Sequence, residues 1–127
     1  MLLLVMTLRA QQAVSPPAPP QAESANRSYL IFLQGRVIGR EDVTVKTDAT
    51  GTTITAQGAI GAPRNTETRR AEVRYTSDWT LDSLTLEGTI DNAPIQLNTT
   101  VRQGVASSQG IIGSRAVNGT QIGRAHV

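Results

Sequence analysis

The chain has 127 residues, room for one small domain and not for two, with a formal net charge of +2. Hydrophobic residues make up 39%, charged residues 17% and aromatic residues only 3%, a balance that excludes a coiled coil, an acidic disordered tail and a polytopic membrane protein. Cysteine is absent, which removes disulfide scaffolds and cysteine-ligated zinc.

The first element is an apolar run, Leu2 to Leu8, too short to span a bilayer as a helix. It has the character of the hydrophobic region of a secretory signal, with Ala10 at a cleavage position. Residues 1–10 are therefore expected to be a partial signal peptide, which makes the protein exported, periplasmic or extracellular. Pro16, Pro17, Pro19 and Pro20 follow and break any helix, so residues 11–27 read as an extended Pro-rich linker.

From Ser28 onward the apolar period is two. Ser28–Gln34 is a short apolar strand closed by Gly35-Arg36, and Val37–Thr47 sets Val43 and Val45 on one face. Asp48-Ala49-Thr50-Gly51 has hairpin-turn chemistry. Thr52–Ile60 places Thr52, Ile54, Ala56, Gly58 and Ile60 together, and Gly61–Asn65 is a loop. Thr66–Thr76 groups Ala71, Val73 and Tyr75 opposite Arg70, Glu72 and Arg74. After a turn at Ser77-Asp78-Trp79, Ser83–Ile90 presents Leu84, Leu86 and Ile90, and Asp91–Pro94 leads into Ile95, Leu97 and Val101. The alternation weakens beyond Arg102, where Val105–Gly110 and Arg115–Thr120 read as a further hairpin around Ile111–Ser114.

Strands joined by short turns pair antiparallel, because parallel neighbours need long crossovers. The expected fold is all-β: a curved antiparallel sheet, a half-barrel-like meander over residues 28–121, incomplete as it stands. One face is apolar and the other rich in Thr, Arg and Glu, as for a sheet with one solvated side.

The last six residues, Ile122 to Val127, back-translate as ATC GGA AGA GCA CAC GTC, which matches a common sequencing adapter in one frame. Residues 122–127 are therefore read as a non-native adapter-encoded tail on a fragment, expected to make no persistent packing with the sheet. The sole histidine, His126, falls inside it. Setting aside Arg9 and Arg124 leaves ten basic residues against ten acidic ones, so the apparent pI of about 9.7 does not point to nucleic acid.

No Gly-x-Ser-x-Gly elbow, phosphate-cradling loop or metal-spaced His or Cys cluster is present, so no catalytic, cofactor-binding or metal-binding residue is assigned. Glu41 and Asp42 are neighbours on one strand and point to opposite faces, which disqualifies them as an acid/base pair. Asn26-Arg27-Ser28, Asn98-Thr99-Thr100 and Asn118-Gly119-Thr120 match the glycosylation sequon, a pattern that recurs by chance in a chain with sixteen threonines. Three structural candidates remain. A symmetric Asp48–Gly51 hairpin sets Glu41 against Gly58, and Arg69 shares the parity of Ala71, Val73 and Tyr75. A Glu41–Arg69 salt bridge passing over the bare Gly58 is one reading. The other makes Gly58 a bulge or bend, with both charges reaching water.

The stretches Tyr29-Leu30-Ile31-Phe32-Leu33-Gln34-Gly35, Ile38-Gly39-Arg40-Glu41-Asp42-Val43-Thr44-Val45, Arg69-Arg70-Ala71-Glu72-Val73-Arg74-Tyr75 and Asp78-Trp79 resemble an N-terminal β-domain of exported bacterial α/β-hydrolase-fold proteins of peptidase or esterase type. The resemblance covers about residues 28–121. It implies a non-catalytic accessory domain whose partner is its own downstream catalytic domain, with the nucleophile, acid and histidine lying there. The alternative is a free-standing envelope protein that holds a lipid or other apolar ligand in a curved sheet. Neither reading involves nucleic acid, an integral membrane span or a cofactor.

Overall fold

The computed structural model describes residues 22–122, and these form one antiparallel sheet of eight strands in sequence order. The strands are β1 (Glu23–Leu33), β2 (Arg36–Asp48), β3 (Gly51–Ile60), β4 (Thr66–Thr76), β5 (Leu81–Ile90), β6 (Ala93–Arg102), β7 (Val105–Ile112) and β8 (Arg115–Ile122). Each strand hydrogen-bonds to its sequence neighbours, and β1 and β8 are the two edges of an open sheet. The all-β meander read from the alternation is therefore present, with the hairpin beyond Arg102 included.

Turn chemistry explains the register. Gln34-Gly35, Asp91-Asn92 and Gln103-Gly104 each hold two consecutive residues at positive φ, between 48° and 78°. This is the two-residue turn whose twist matches the flanking strands. Asp48 closes its hairpin differently: its Oδ1 accepts from the Thr50 backbone N–H at 2.7 Å and the Thr50 hydroxyl at 2.6 Å. That turn sets Val45 against Ile54, Val43 against Ala56 and Glu41 against Gly58, the register expected from the sequence. Pro94 lies inside β6 rather than in the turn before it. It pairs with Thr89 on β5, while the β7 ladder begins only at Ile95, so the missing N–H interrupts no pairing there.

Strand β1 starts five residues before Ser28, within the stretch read as linker. Glu23 pairs with Thr47, and the Thr44 hydroxyl donates to Asn26 Oδ1 at 2.8 Å. Backbone pairing with the long β2 needs no apolar side chain, so the polar sequence concealed it. The remaining linker and the signal peptide lie outside the described residues, as does the tail beyond Ile122. Ile122 itself is the last residue of β8, paired with Val105.

The register aligns one apolar row across the sheet: Val43, Ala56, Ala71, Leu86, Leu97 and Gly110, ending on Val117. A second row runs Val45, Ile54, Val73 and Leu84, then turns polar at Thr99 and Ser108. Despite this, none of the described hydrophobic side chains is fully buried, and the one buried polar residue is Thr52. A single sheet hides each apolar side chain only among its row neighbours; complete burial needs a second layer.

Three bulges and a set of close-approach glycines bend the sheet. Ile38 is the extra residue in β2, Asp82 in β5, and the Arg69-Arg70 pair faces the single Gln57 across β3 and β4. A Cβ on Gly58 would stand 2.4 Å from the Arg40 carbonyl oxygen, and one on Gly88 would stand 2.1 Å from that of Glu67. Neighbouring strands fold over these positions, where any side chain would hold them apart.

Candidate functional site

The two faces differ in chemistry, and the bulges decide which residues each carries. On the apolar face, a small cleft of about 120 Å3 brings together Ile31, Glu41, Gly58, Ile60, Thr66 and Thr68. On the polar face, a cleft of about 220 Å3 is lined by Asp42, Thr44, Thr55, Gln57, Arg69 and Arg70. Glu41 and Gly58 thus sit together, as expected, and Arg69 does not join them.

The Glu41–Arg69 bridge is corrected by the register. Ala56 pairs with Ala71, but Gly58 pairs with Thr68, so Thr68 and not Arg69 stands next to Gly58. The bulge inserts one residue into β4 and turns Arg69 onto the polar face beside Arg70. No ion pair joins Glu41 and Arg69 among the described residues. The second reading of Gly58, a site of bending, is the one the geometry supports.

The polar face carries ordered networks that alternation alone does not reveal. The Ser28 hydroxyl donates to Asp42, and Arg40 Nη2 reaches Asp42 Oδ1 at 2.9 Å and Ser28 Oγ at 3.1 Å. The Ser28 hydroxyl, then the Arg40 guanidinium, hold the Asp42 carboxyl below its ordinary range. Arg70 pairs with Glu72 at 2.8 Å. The β5 bulge delivers Asp82 to the polar face, where it meets Arg102 and lies 3.9 Å from Arg74 Nε. Its partners come from β4 and β6, so one carboxylate ties three strands. The arginines are exposed and the carboxylates partly so, and solvent screening keeps the contribution of each pair small.

Ser28 is the one hydroxyl in a Ser–Asp–Arg cluster, yet it donates to a carboxylate held ionised by Arg40. A nucleophile needs a neighbouring base free to take its proton, and no histidine stands among the described residues. The cluster reads as a cross-strand clamp between β1 and β2.

Two aromatic residues occupy the opposite end of the sheet. Tyr75 is half-buried on the apolar face, and its ring lies 5.9 Å from that of Trp79 at a tilt of 47°. Trp79 is 68% exposed and sits at φ +62°, a left-handed conformation rare for a bulky side chain. The turn holds it there through Trp79 N–H to the Thr76 carbonyl at 3.0 Å, with the Thr76 hydroxyl capping Asp78. That hydroxyl, then the Thr80 backbone N–H, hold the Asp78 carboxyl below its usual range.

Among the described residues, no three His, Cys, Asp or Glu side chains converge on a metal position, and no helix is long and apolar enough to cross a membrane. The chain matches no protein-family model, no curated protein and no solved structure.

Proposed function

We propose that this chain is the non-catalytic accessory β-module of an exported α/β-hydrolase-type protein, and that its apolar face is the seat of that protein's catalytic domain. One observation carries the reading: rows of Val, Ile, Leu and Ala cross the sheet, yet no described hydrophobic side chain is fully buried. Such a face is complete only when another layer covers it. The clefts of the sheet, from about 120 to about 500 Å3, are all open to solvent, unlike the pockets that bury most of a drug-sized ligand. A broad macromolecular cover suits this face better than an enclosed small molecule. The resemblance of residues 28–121 to the N-terminal β-domain of exported hydrolases supplies the identity of the cover.

The test begins with the gene. Reads crossing the Gln121 codon are expected to continue in frame into a Gly-x-Ser-x-Gly region. A stop after a few more strands would remove the hydrolase reading. The extended protein should then bind far less of an apolar-surface dye than the present chain, which itself should turn over neither ester nor peptidyl chromogenic substrates. Stoichiometric lipid extracted from the purified chain would instead favour the ligand-carrier alternative.

A further inference from the structure

The largest departure from the two-face rule lies in an edge strand; elsewhere single residues such as Val37 and Ile111 break it. The second half of β1, Tyr29-Leu30-Ile31-Phe32-Leu33, is apolar on both faces. Tyr29, Ile31 and Leu33 carry the parity of the apolar face, while Leu30 and Phe32 project onto the polar one, 57% and 60% exposed. Val37, opposite Phe32, is exposed as well. A continuous apolar run is the pattern of a strand covered on both sides and paired on both edges. Among the described residues β2 pairs with one edge of β1, and no strand pairs with the other. The other edge is blunted, since β8 carries Arg115, Asn118 and Thr120.

We infer that the chain self-associates through this edge, β1 against β1 of a second copy, antiparallel and centred on Ile31. The run is its own complement in that register. Ile31 meets Ile31 of the second copy, Leu30 meets Phe32, and Tyr29 meets Leu33, so every cross-strand pair is apolar. A two-fold axis normal to the sheet also keeps both apolar faces on the same side, so the interface is compatible with any cover over that face. The longest possible ladder, centred on Ser28, is disfavoured because it sets Leu33 against Glu23, Phe32 against Ser24 and Tyr29 against Arg27. Tyr29, Leu30, Phe32 and Leu33 are exposed and Ile31 is half-buried, so pairing along this five-residue run covers less area than a standard stable interface. A dimer joined by so short a ladder is a weak one.

Sedimentation velocity on the purified chain across the micromolar range should show a monomer–dimer equilibrium. Leu30→Lys, whose site is exposed in the single copy, should weaken it at least about tenfold while the far-ultraviolet spectrum is retained. The chain has no cysteine, so Ile31→Cys introduces a sole thiol that faces its twin across the axis. Mild oxidation should give a covalent dimer with Ile31→Cys and not with Ser28→Cys. This cross-linking decides the question even if Leu30→Lys folds poorly. A monomer at every concentration, a dimer unaffected by Leu30→Lys, cross-linking at Ser28→Cys in place of Ile31→Cys, or open-ended assembly through β8 would each overturn the inference.

Discussion

Replacing Gly88 by Ala adds one methyl group at a buried position between β4 and β6. The new Cβ would stand 2.1 Å from the Glu67 carbonyl oxygen, 3.1 Å from its carbon and 3.2 Å from the Thr68 Cα. All three are backbone atoms, so no side chain can swing away. Relief requires β4 and β5 to part by roughly 1 Å, enough to forfeit much of the contact attraction there and weaken the adjoining ladder hydrogen bonds. Overpacking of this kind costs about 1–3 kcal/mol. The smaller unfolded-state entropy of Ala returns about 0.4–1 kcal/mol. A net loss of about 1 kcal/mol follows, which for a domain of this size lowers Tm by roughly 5 °C. Gly119→Ala is the matched control, since nothing lies within 4 Å of its Cβ position; it should be neutral or gain up to about 1 kcal/mol. Urea titrations of both variants followed by circular dichroism measure the difference. Equal midpoints for the two variants would refute the close-approach account of the bend.

Four further outcomes are expected. Asp42, Asp48 and Asp78 have folded pKa values below the unfolded value, so their stabilisation is present above about pH 4 and is lost as pH falls through the folded values. Urea midpoints should therefore drop between pH 5 and pH 3, and Asp48→Asn should flatten that slope; a midpoint independent of pH would contradict it. Asp91 accepts from Arg64 Nε at 3.1 Å and from the Asn65 N–H at 3.0 Å. Asp91→Ala should cost about 1 kcal/mol and speed amide exchange at Asn65, whereas unchanged exchange would deny the anchor. Asp82→Ala should lower the midpoint by more than either Arg74→Ala or Arg102→Ala alone, because it releases both arginines; equal effects would mean that only one pair matters. The emission of Trp79, the sole tryptophan, should be that of a solvated indole and readily quenched by acrylamide, and a blue-shifted, protected spectrum would place it in contact with a further layer.

Much of the sheet is legible in the chain because turns and alternation act locally. The Asp48–Gly51 turn is visible as an Asp-x-Thr-Gly segment, and it alone sets the pairing of Val45, Val43 and Glu41. What alternation cannot convey is an insertion that leaves composition unchanged. At Arg69-Arg70 neither residue is a glycine or a turn former, and the preceding Thr66 and Thr68 suit either face, so parity counted back from Tyr75 passes unnoticed through the bulge. The same blindness hides Asp82 until its two arginine partners are seen. Strand β1 begins early for a related reason: Glu23 and Asn26 pair through the backbone and a Thr44 hydroxyl, neither of which leaves an apolar signature. The exposed Trp79 is invisible for a different reason, since a left-handed tryptophan contradicts residue preference and is imposed by Thr76 and Asp78.

The strand order carries a kinetic consequence. Because every ladder joins consecutive strands, each pairing closes only a short stretch of chain, and the mean sequence separation of contacts is low for an all-β protein. No pairing waits for distant segments to meet, so assembly can proceed hairpin upon hairpin from any nucleated turn, faster than in Greek-key sandwiches of similar length. The same linearity makes loss of structure progressive: β7 and β8 can peel away without breaking the ladders between β2 and β5. Hydrogen exchange should therefore form a gradient from the two ends of the strand order toward its centre, the slowest amides reporting global unfolding.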